Sequence, residues 1–349
     1  MSPYVLQKEN TMKKALYIMM MVAASVSCSK NEVIDTAGEA ISFGNIFVDK
    51  STKTLDDPSH TTTNLREFYV YGNVTGNVDD GSGFNTVNIY KQDKVYKEDD
   101  VWKCNTIQYW IPECTYDFVA ISDVVATDPT TEDFNVVVMT TDGLPSSIKY
   151  DASSQKDVLY ASIKDITTDV TGTPSTGVTD GQINPVSFTF AHMLSKVQFT
   201  FTNDFPENSG VELTVTDVKI TNAAKTGTYT IGSTPKWEVN SWFLTADGGL
   251  SFGNTDAIAA GGNSGSSSGM CVLIPCTQSF DITFTIKHNK GGSDTHKTIT
   301  TGEITLEKGH FYNFTANLNS SNVEGVVPIS FIITDETGWN SGDDPTIRY

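Results

Sequence analysis

The sequence is poor in basic residues and has no long apolar run. Its 349 residues include 23 Lys and Arg against 42 Asp and Glu, so the net charge is −19 at pH 7. An acidic chain of this kind repels nucleic acid and anionic lipid, so no nucleic-acid partner is expected. The apolar run at residues 15–24 is too short for a membrane-spanning helix, which needs roughly 20 apolar residues.

The chain also lacks a recognisable catalytic or metal-binding motif. Its 5 histidines are not spaced for nucleophilic catalysis, and the G-x-S-x-G, H-E-x-x-H and P-loop patterns are absent. Acidic pairs such as Asp79-Asp80 lack the spacing of a calcium loop, and no Cys/His set has zinc spacing. His192 lies in an apolar context and is interpreted as a core histidine. We therefore expect a protein that is not an enzyme and carries no cofactor or metal.

Helical periodicity is scarce, and strand signals dominate instead. Short segments rich in Val, Ile, Thr, Phe and Tyr recur between turn signals, which predicts an all-β fold built from sandwiches. The chain is long enough for two domains, and we place them at residues 41–185 and 186–349. Residues 151–163 are predicted to be helical or irregular, and the Gly/Ser-rich residues 259–269 to be a loop.

The N-terminus has the pattern of an export signal. Lys13-Lys14 precedes the apolar run, and small residues lead to Cys28, the position at which a lipoprotein signal carries its cysteine. Residues 1–27 are predicted to be the signal peptide, with Met12 as the start, and residues 28–40 a tether. The chain after residue 27 then carries a net charge of −21. The alternative is an ordinary signal peptide with an incidental cysteine.

The four later cysteines are Cys104, Cys114, Cys271 and Cys276. In an oxidising compartment they can form two disulfides, and three connectivities are open. Local pairing, Cys104 with Cys114 and Cys271 with Cys276, is the simplest. Buried thiols are the alternative.

Aromatic residues suggest a second kind of surface. Trp102, Tyr109 and Trp110, or Trp237 and Trp242, can form a platform for a sugar if they are exposed. On the strands of a sandwich, the same residues are more often part of the core.

Several short phrases occur in a characteristic order along the chain. They are Ile41–Gly44, Leu65–Gly72, Tyr109-Trp110, Tyr116–Ala120, Asp157–Ala161, Phe188–Lys196, Leu273–Pro275, Gly309–Phe314 and Trp339. Together they extend over almost all of the chain after the signal, and the ordered set resembles the fimbrillin-like proteins of Bacteroidales-type bacteria.

The resemblance implies a fold and a mode of assembly. The fold is two tandem transthyretin-like β-sandwich domains in a pilus subunit that is exported as a lipoprotein to the outer membrane. A trypsin-like protease cuts the loop after the first strand, and a strand of another subunit replaces the lost one. Lys50 and Lys53 are the candidates in that loop, where the family usually has arginine. Other pilus subunits, the outer membrane and a host or bacterial surface ligand are the implied partners.

The C-terminal segment separates two roles within a pilus. If residues 326–349 are a donor strand, the chain is a stalk subunit; if they fold back onto their own domain, it is a tip or accessory subunit. Trp339, followed by a hydrophilic end, favours folding back. The alternative function is that of a surface lipoprotein that binds glycans beside an outer-membrane sugar importer.

Overall fold

The computed structural model describes residues 39–49, 60–76, 86–126, 134–175, 184–262, 265–291, 293–325 and 327–337. The predicted signal peptide, Cys28, Lys50, Lys53 and Trp339 lie outside these residues. The regular secondary structure of the described residues is almost entirely strand, which confirms the all-β prediction. No helix among the described residues is long and apolar enough to cross a membrane.

The strands up to residue 192 form the first half of the fold. They are β1 (Phe43–Val48), β2 (Glu67–Gly76), β3 (Val87–Glu98), β4 (Val101–Cys104), β5 (Cys114–Ile121), β6 (Val125–Ala126), β7 (Val136–Met139), β8 (Pro145–Asp151), β9 (Leu159–Thr168), β10 (Pro174–Ser175) and β11 (Val186–His192). A short 3₁₀ turn, Ala152–Ser154, follows β8.

The remaining strands follow after residue 194. They are β12 (Ser195–Asn203), β13 (Glu212–Ile220), β14 (Ala224–Thr230), β15 (Lys236–Trp242), β16 (Leu250–Gly253), β17 (Ile258–Ala259), β18 (Gly265–Leu273), β19 (Thr277–His288), β20 (Thr295–Thr305), β21 (His310–Leu318) and β22 (Phe331–Thr337). The helical elements here are the 3₁₀ turns Glu207–Ser209 and Thr245–Asp247 and the helix α1 (Ser320–Val323).

The largest sheet has the strand order β1-β11-β9-β5-β2-β3-β4, with β10 paired to β9. Alternation within its strands gives it an apolar inner face: Val186, Phe188 and Phe190 of β11 are buried, whereas Ser187 and Thr189 between them are exposed. This inner face surrounds a core of its own, made by β1, β2, β5 and β11 together with their neighbours.

The prediction that residues 151–163 are helical or irregular is wrong for the second part of that segment. Residues from Leu159 onward form β9, which pairs with β5 on one side and with β11 on the other. Hydrogen bonding along both edges of β9 outweighs the weak local strand signal of its sequence.

A second sheet joins the two halves of the chain. Its order is β15-β14-β8-β7-β6, and β8 pairs with β14 from Asp151↔Thr226 to Ser147↔Thr230. The domain boundary near residue 185 stays a prediction. Strands on both sides of that position share sheets, because β11 pairs with β1 and β9 while β8 pairs with β14.

The other two sheets face each other as a sandwich. Their orders are β18-β12-β21-β22 and β16-β13-β19-β20, with β17 paired to β13. Phe199 of β12 lies edge-on to Phe252 of β16 at 4.8 Å between ring centroids, and Phe201 lies 5.2 Å from Phe284 of β19. These aromatic contacts across the two layers form the centre of the second core.

The prediction of a loop at residues 259–269 is wrong for its second part. Gly265–Leu273 is a strand that pairs with β12 along most of its length. Its partner supplies the apolar side chains and the hydrogen-bonding groups that fix this Gly- and Ser-rich segment.

Candidate functional site

The first strand lies at the edge of the largest sheet and is the feature around which a functional site can be built. β1 runs parallel to β11, from Phe43↔Val186 to Val48↔Phe190. Its described neighbour by a strand ladder is β11 alone. A strand held by one ladder at an edge can be separated from its sheet without breaking any other ladder.

The side chains of β1 fill an apolar groove. Ile41, Phe43, Ile46 and Val48 are buried in the core of this sheet. The Phe43 ring lies 5.4 Å from Tyr90, 6.2 Å from Phe118 and 6.1 Å from Phe188, measured between centroids. Burying a side chain of this kind contributes about 1.5–3 kcal/mol. The apolar side chains of this segment therefore stabilise the sheet that they cover.

The floor of the groove is a cluster of buried aromatic rings. Trp110 and Tyr116 pack edge to face at 4.7 Å between centroids. The Tyr116 hydroxyl accepts a hydrogen bond of 2.6 Å from the Ile111 N–H. Burial raises the pKa of both Tyr90 and Tyr116 well above that of an exposed tyrosine, so both stay neutral. This floor is rigid, uncharged and suited to apolar side chains.

The entry of β1 is held on a second side. The Ile41 N–H donates to the Gln108 carbonyl at 2.8 Å, and the Trp110 N–H donates to the Glu39 carbonyl at 3.0 Å. Ala40 forms an antiparallel bridge with Tyr109 between these two bonds. The segment before β1 thus closes the groove against the connection between β4 and β5.

A bulge divides β1 into two short parts. The register shifts between Gly44 and Phe47, and Asn45 has a φ of 47°. A Cβ at Gly44 would lie 2.8 Å from Cγ of Pro185, which is too close for any larger residue without a shift. Glycine is therefore required where β1 approaches the residue before β11.

Hydrogen bonds hold the chain where it leaves β1 and again where the described residues resume at His60. The Asp49 N–H donates to the Phe190 carbonyl at 2.8 Å, and the Val48 N–H donates to Thr62 Oγ1 at 2.9 Å. The His60 N–H donates to Asp157 Oδ2 at 2.6 Å. Lys50 and Lys53 belong to residues 50–59 between these ends, which lie outside the described part of the chain.

A buried acid and a buried histidine support the return of the chain. Nδ1 of His192 lies 3.0 Å from Oδ1 of Asp157, and both side chains are almost fully buried. The His60 ring contacts the Asp123 carboxylate at the same place. The interpretation of His192 as a core histidine is confirmed. Sequence reasoning missed Asp157, although an acid inside the apolar phrase Asp157–Ala161 is itself a signal of a buried partner.

The C-terminal strand folds back onto its own domain. β22 pairs antiparallel with β21, from His310↔Thr337 to Ala316↔Phe331. The Phe331 ring lies 5.6 Å from Phe199 and 6.1 Å from Phe314. Trp339, on which the prediction of folding back partly depended, lies outside the described residues.

The cysteines of the described chain are thiols, and neither predicted local disulfide is present. Cys104 and Cys114 belong to β4 and β5, which are separated in the sheet by β2 and β3. Cys271 Sγ lies 3.2 Å from the Ser251 carbonyl oxygen instead of bonding to Cys276. Burial raises the pKa of Cys104 and Cys276 to about 11 and that of Cys271 to about 12, so these thiols are unreactive near neutral pH.

The aromatic residues considered for a sugar platform differ in how far they are buried. Trp110 is buried, and Trp237 packs 5.4 Å from Tyr229, its Nε1 donating to the Met193 carbonyl at 2.7 Å. Tyr109 and Trp242 are exposed. Trp102 is half-buried, with its ring 5.3 Å from that of Phe68, so neither candidate set presents two exposed rings.

Metal-binding geometry is also absent from the described residues, where no group of three or more His, Cys, Asp or Glu side chains is arranged to hold an ion. Asp99 and Asp100, one of the acidic pairs, occupy a turn between β3 and β4.

Comparison with known proteins adds a family and a fold. Residues 54–335 match a family model described as fimbrillin-like. A fimbrial protein from Bacteroides vulgatus is 14% identical and has a TM-score of 0.54, over 86% of this chain and 99% of that chain. A fimbrial assembly protein from Parabacteroides distasonis is 12% identical with a TM-score of 0.35, over 84% of this chain and 96% of that chain. The first similarity shows a common fold. No curated protein matches the chain.

Proposed function

Because the chain belongs to the fimbrillin-like family, we propose that it is a structural and adhesive subunit of a cell-surface pilus. The observation that carries this proposal is the place of β1, an edge strand that fills an apolar groove and is joined to the sheet by the β11 ladder. Loss of such a strand exposes the β11 edge and the rings beneath it. A strand of similar pattern from another subunit satisfies both.

The precursor carries a lipid at Cys28 and is cut after Lys50 or Lys53. Two contacts support this order of events: Asp49 is fixed to β11 before the cut segment, and His60 is fixed to Asp157 after it. A cut between them frees β1 together with its tether. In the remaining chain the bond from the His60 N–H to Asp157 is kept, since it does not involve β1.

Within the pilus, this protein is a tip or accessory subunit rather than a stalk subunit. The pairing of β22 with β21 supports this assignment, because a strand that completes its own sheet is not available to a neighbour. The two halves of the chain are transthyretin-like sandwiches in this proposal. The partners are other pilus subunits, the outer membrane before maturation, and a ligand on a host or bacterial surface.

Limiting trypsin on residues 28–349, with Cys28 replaced by Ser, tests the proposal. We expect one early cut after Lys50 or Lys53 by mass, after which the cut chain takes up an added β1 peptide labelled for detection. Alone, the cut chain stays monomeric, because β22 is already paired with β21. The matched control carries Lys50→Gln and Lys53→Gln and stays intact and monomeric. A cut chain that takes up no labelled β1 peptide would contradict strand exchange, and saturable glycan binding would then favour the alternative function. A ladder of oligomers from the cut chain alone would favour a stalk subunit.

A further inference from the structure

Several exposed apolar side chains lie on one pole of the fold. Phe47 of β1 is 54% exposed, Val101 of β4 is 58% exposed, and Ile107 and Tyr109 of the following segment are 65% and 37% exposed. Apolar residues this exposed are unremarkable singly but indicate a contact surface when they adjoin.

The two segments that carry these side chains lie side by side. Ala40 bridges Tyr109, the Ile41 N–H bonds to the Gln108 carbonyl, and β1 lies next to β4. Exposure alternates along residues 101–110, so every second side chain of this segment points outward. The outward positions of β1 and of residues 101–110 therefore form one face, which we call the β1–β4 face.

Lys97 and Lys103, beside the β1–β4 face, are both paired with acids, and the exposed residues Glu39, Asp49 and Asp99 add further negative charge. Lys103 contacts Glu98, and Lys97 Nζ lies 3.2 Å from Asp100 Oδ1. The positive charge of each lysine is balanced by the carboxylate that it contacts. The face therefore offers no net attraction to an anionic surface. Its contact is expected to be apolar and insensitive to salt.

The tether begins at this same face. Glu39 accepts a hydrogen bond from the Trp110 N–H, beside Tyr109. Residues 29–38 separate Glu39 from Cys28, and ten residues reach at most about 35 Å when fully extended. A lipid on Cys28 therefore keeps the β1–β4 face within that distance of the bilayer.

We propose that the β1–β4 face lies against the surface of the bilayer while the chain is attached to it through Cys28. Phe and Tyr side chains with aliphatic neighbours partition to the interface between headgroups and acyl chains. The inference rests on the lipid attachment in the proposed function. It assigns the face to the uncut protein, because a cut after Lys50 or Lys53 removes Phe47 and the tether together.

The test uses residues 28–349 coupled through Cys28 to a maleimide lipid in phosphatidylcholine vesicles with brominated acyl chains. Bromine quenches tryptophan emission only at short range. Phe47→Trp and Ile107→Trp each add one tryptophan to those of the unsubstituted protein. We expect the brominated chains to quench the emission of this added tryptophan, at low and at high salt. Leu244→Trp is the matched control, because Leu244 is 62% exposed outside this face, and it keeps its added emission.

Two results would overturn the proposal. In one, the tryptophans at residues 47 and 107 keep their emission on brominated vesicles, although flotation shows that the protein is bound to these vesicles. The other is a loss of emission that also occurs in bromine-free vesicles and grows with protein density, which would assign the face to a second copy of the chain. Coupling at Cys28 is chemical, so failure of lipidation or of pilus assembly in cells leaves this result unaffected.

Discussion

Nδ1 of His192 lies 3.0 Å from Oδ1 of Asp157, and the pair is buried where β11 ends and β9 begins. The other carboxylate oxygen of Asp157 accepts the N–H of His60 at 2.6 Å. One buried carboxylate thus holds the end of a central strand and the chain that returns after β1. The same acid supports the core and ties the chain that returns after β1 to it.

Replacement of Asp157 by Ala is expected to lower the free energy of unfolding by about 1–3 kcal/mol, the cost of removing one partner of a buried hydrogen bond. His192 would remain buried beside the cavity, and the His60 N–H would lose its acceptor. Urea unfolding of the variant and the parent measures the difference. Asp142→Ala, at an exposed turn, is the control and should change stability by less than about 0.5 kcal/mol. Similar losses in both variants would contradict a special role for Asp157.

Phe43 and Phe47 lie on the same strand and differ in burial, which gives a matched pair of substitutions. Phe43 is 5% exposed and packs on the groove, whereas Phe47 faces outward. Phe43→Ala should cost about 3–5 kcal/mol and expose the groove, as for other buried aromatic residues. Phe47→Ala should cost far less. Denaturant unfolding with a dye that binds apolar surface measures both effects, and equal behaviour would show that β1 is not held by its inward side chains.

The strands near β1 show what could be predicted from sequence and what could not. The phrase Ile41–Gly44 overlaps β1, which begins at Phe43. It could be recognised because alternation of large apolar side chains is a local signal. Its partner β11 lies more than a hundred residues away, and no local pattern specifies that pairing. The buried Asp157 was missed for the same reason, since its partners His60 and His192 come from distant segments.

The sequence did not predict strands whose stability comes from pairing with a distant segment. Gly265–Leu273 has a composition typical of a loop, yet it is held by hydrogen bonds to β12. Ser268 shows how the polar sequence is accommodated: its Oγ accepts the Phe199 N–H at 3.1 Å and donates to the Gly269 carbonyl at 2.8 Å. Composition describes the average environment of a segment, whereas pairing depends on one specific partner.

Truncation after Val323 tests whether β22 belongs to its own domain. The shortened chain should lose the Phe331 contacts and leave β21 with an open edge, so its thermal unfolding should shift to lower temperature or lose cooperativity. Truncation after Thr337 is the control, because it removes only residues beyond β22. A chain ending at Val323 that unfolds like the control would show that the segment is dispensable for folding and available to another subunit.

The cysteines predict a loss of stability at alkaline pH. Burial raises the pKa of Cys104 and Cys276 to about 11 and that of Cys271 to about 12, whereas an unfolded cysteine ionises near about pH 8.5. Above about pH 8.5 the unfolded chain releases these protons and the folded chain does not, so the stability falls as the pH rises towards the folded pKa values. Urea midpoints between about pH 7 and about pH 9 measure the slope before tyrosines ionise, since the pKa of an unfolded tyrosine is about 10.

Cys271→Ala should make this slope shallower, because one thiol no longer ionises on unfolding, although the variant starts from a lower stability. A thiol reagent completes the test on residues 28–349 with Cys28 replaced by Ser. The native protein should react slowly near neutral pH, and the unfolded protein should yield four thiols without any reductant. Fewer than four would mean that disulfides form in the exported protein, and the alkaline slope would shrink accordingly, because a bridged cysteine has no proton to release.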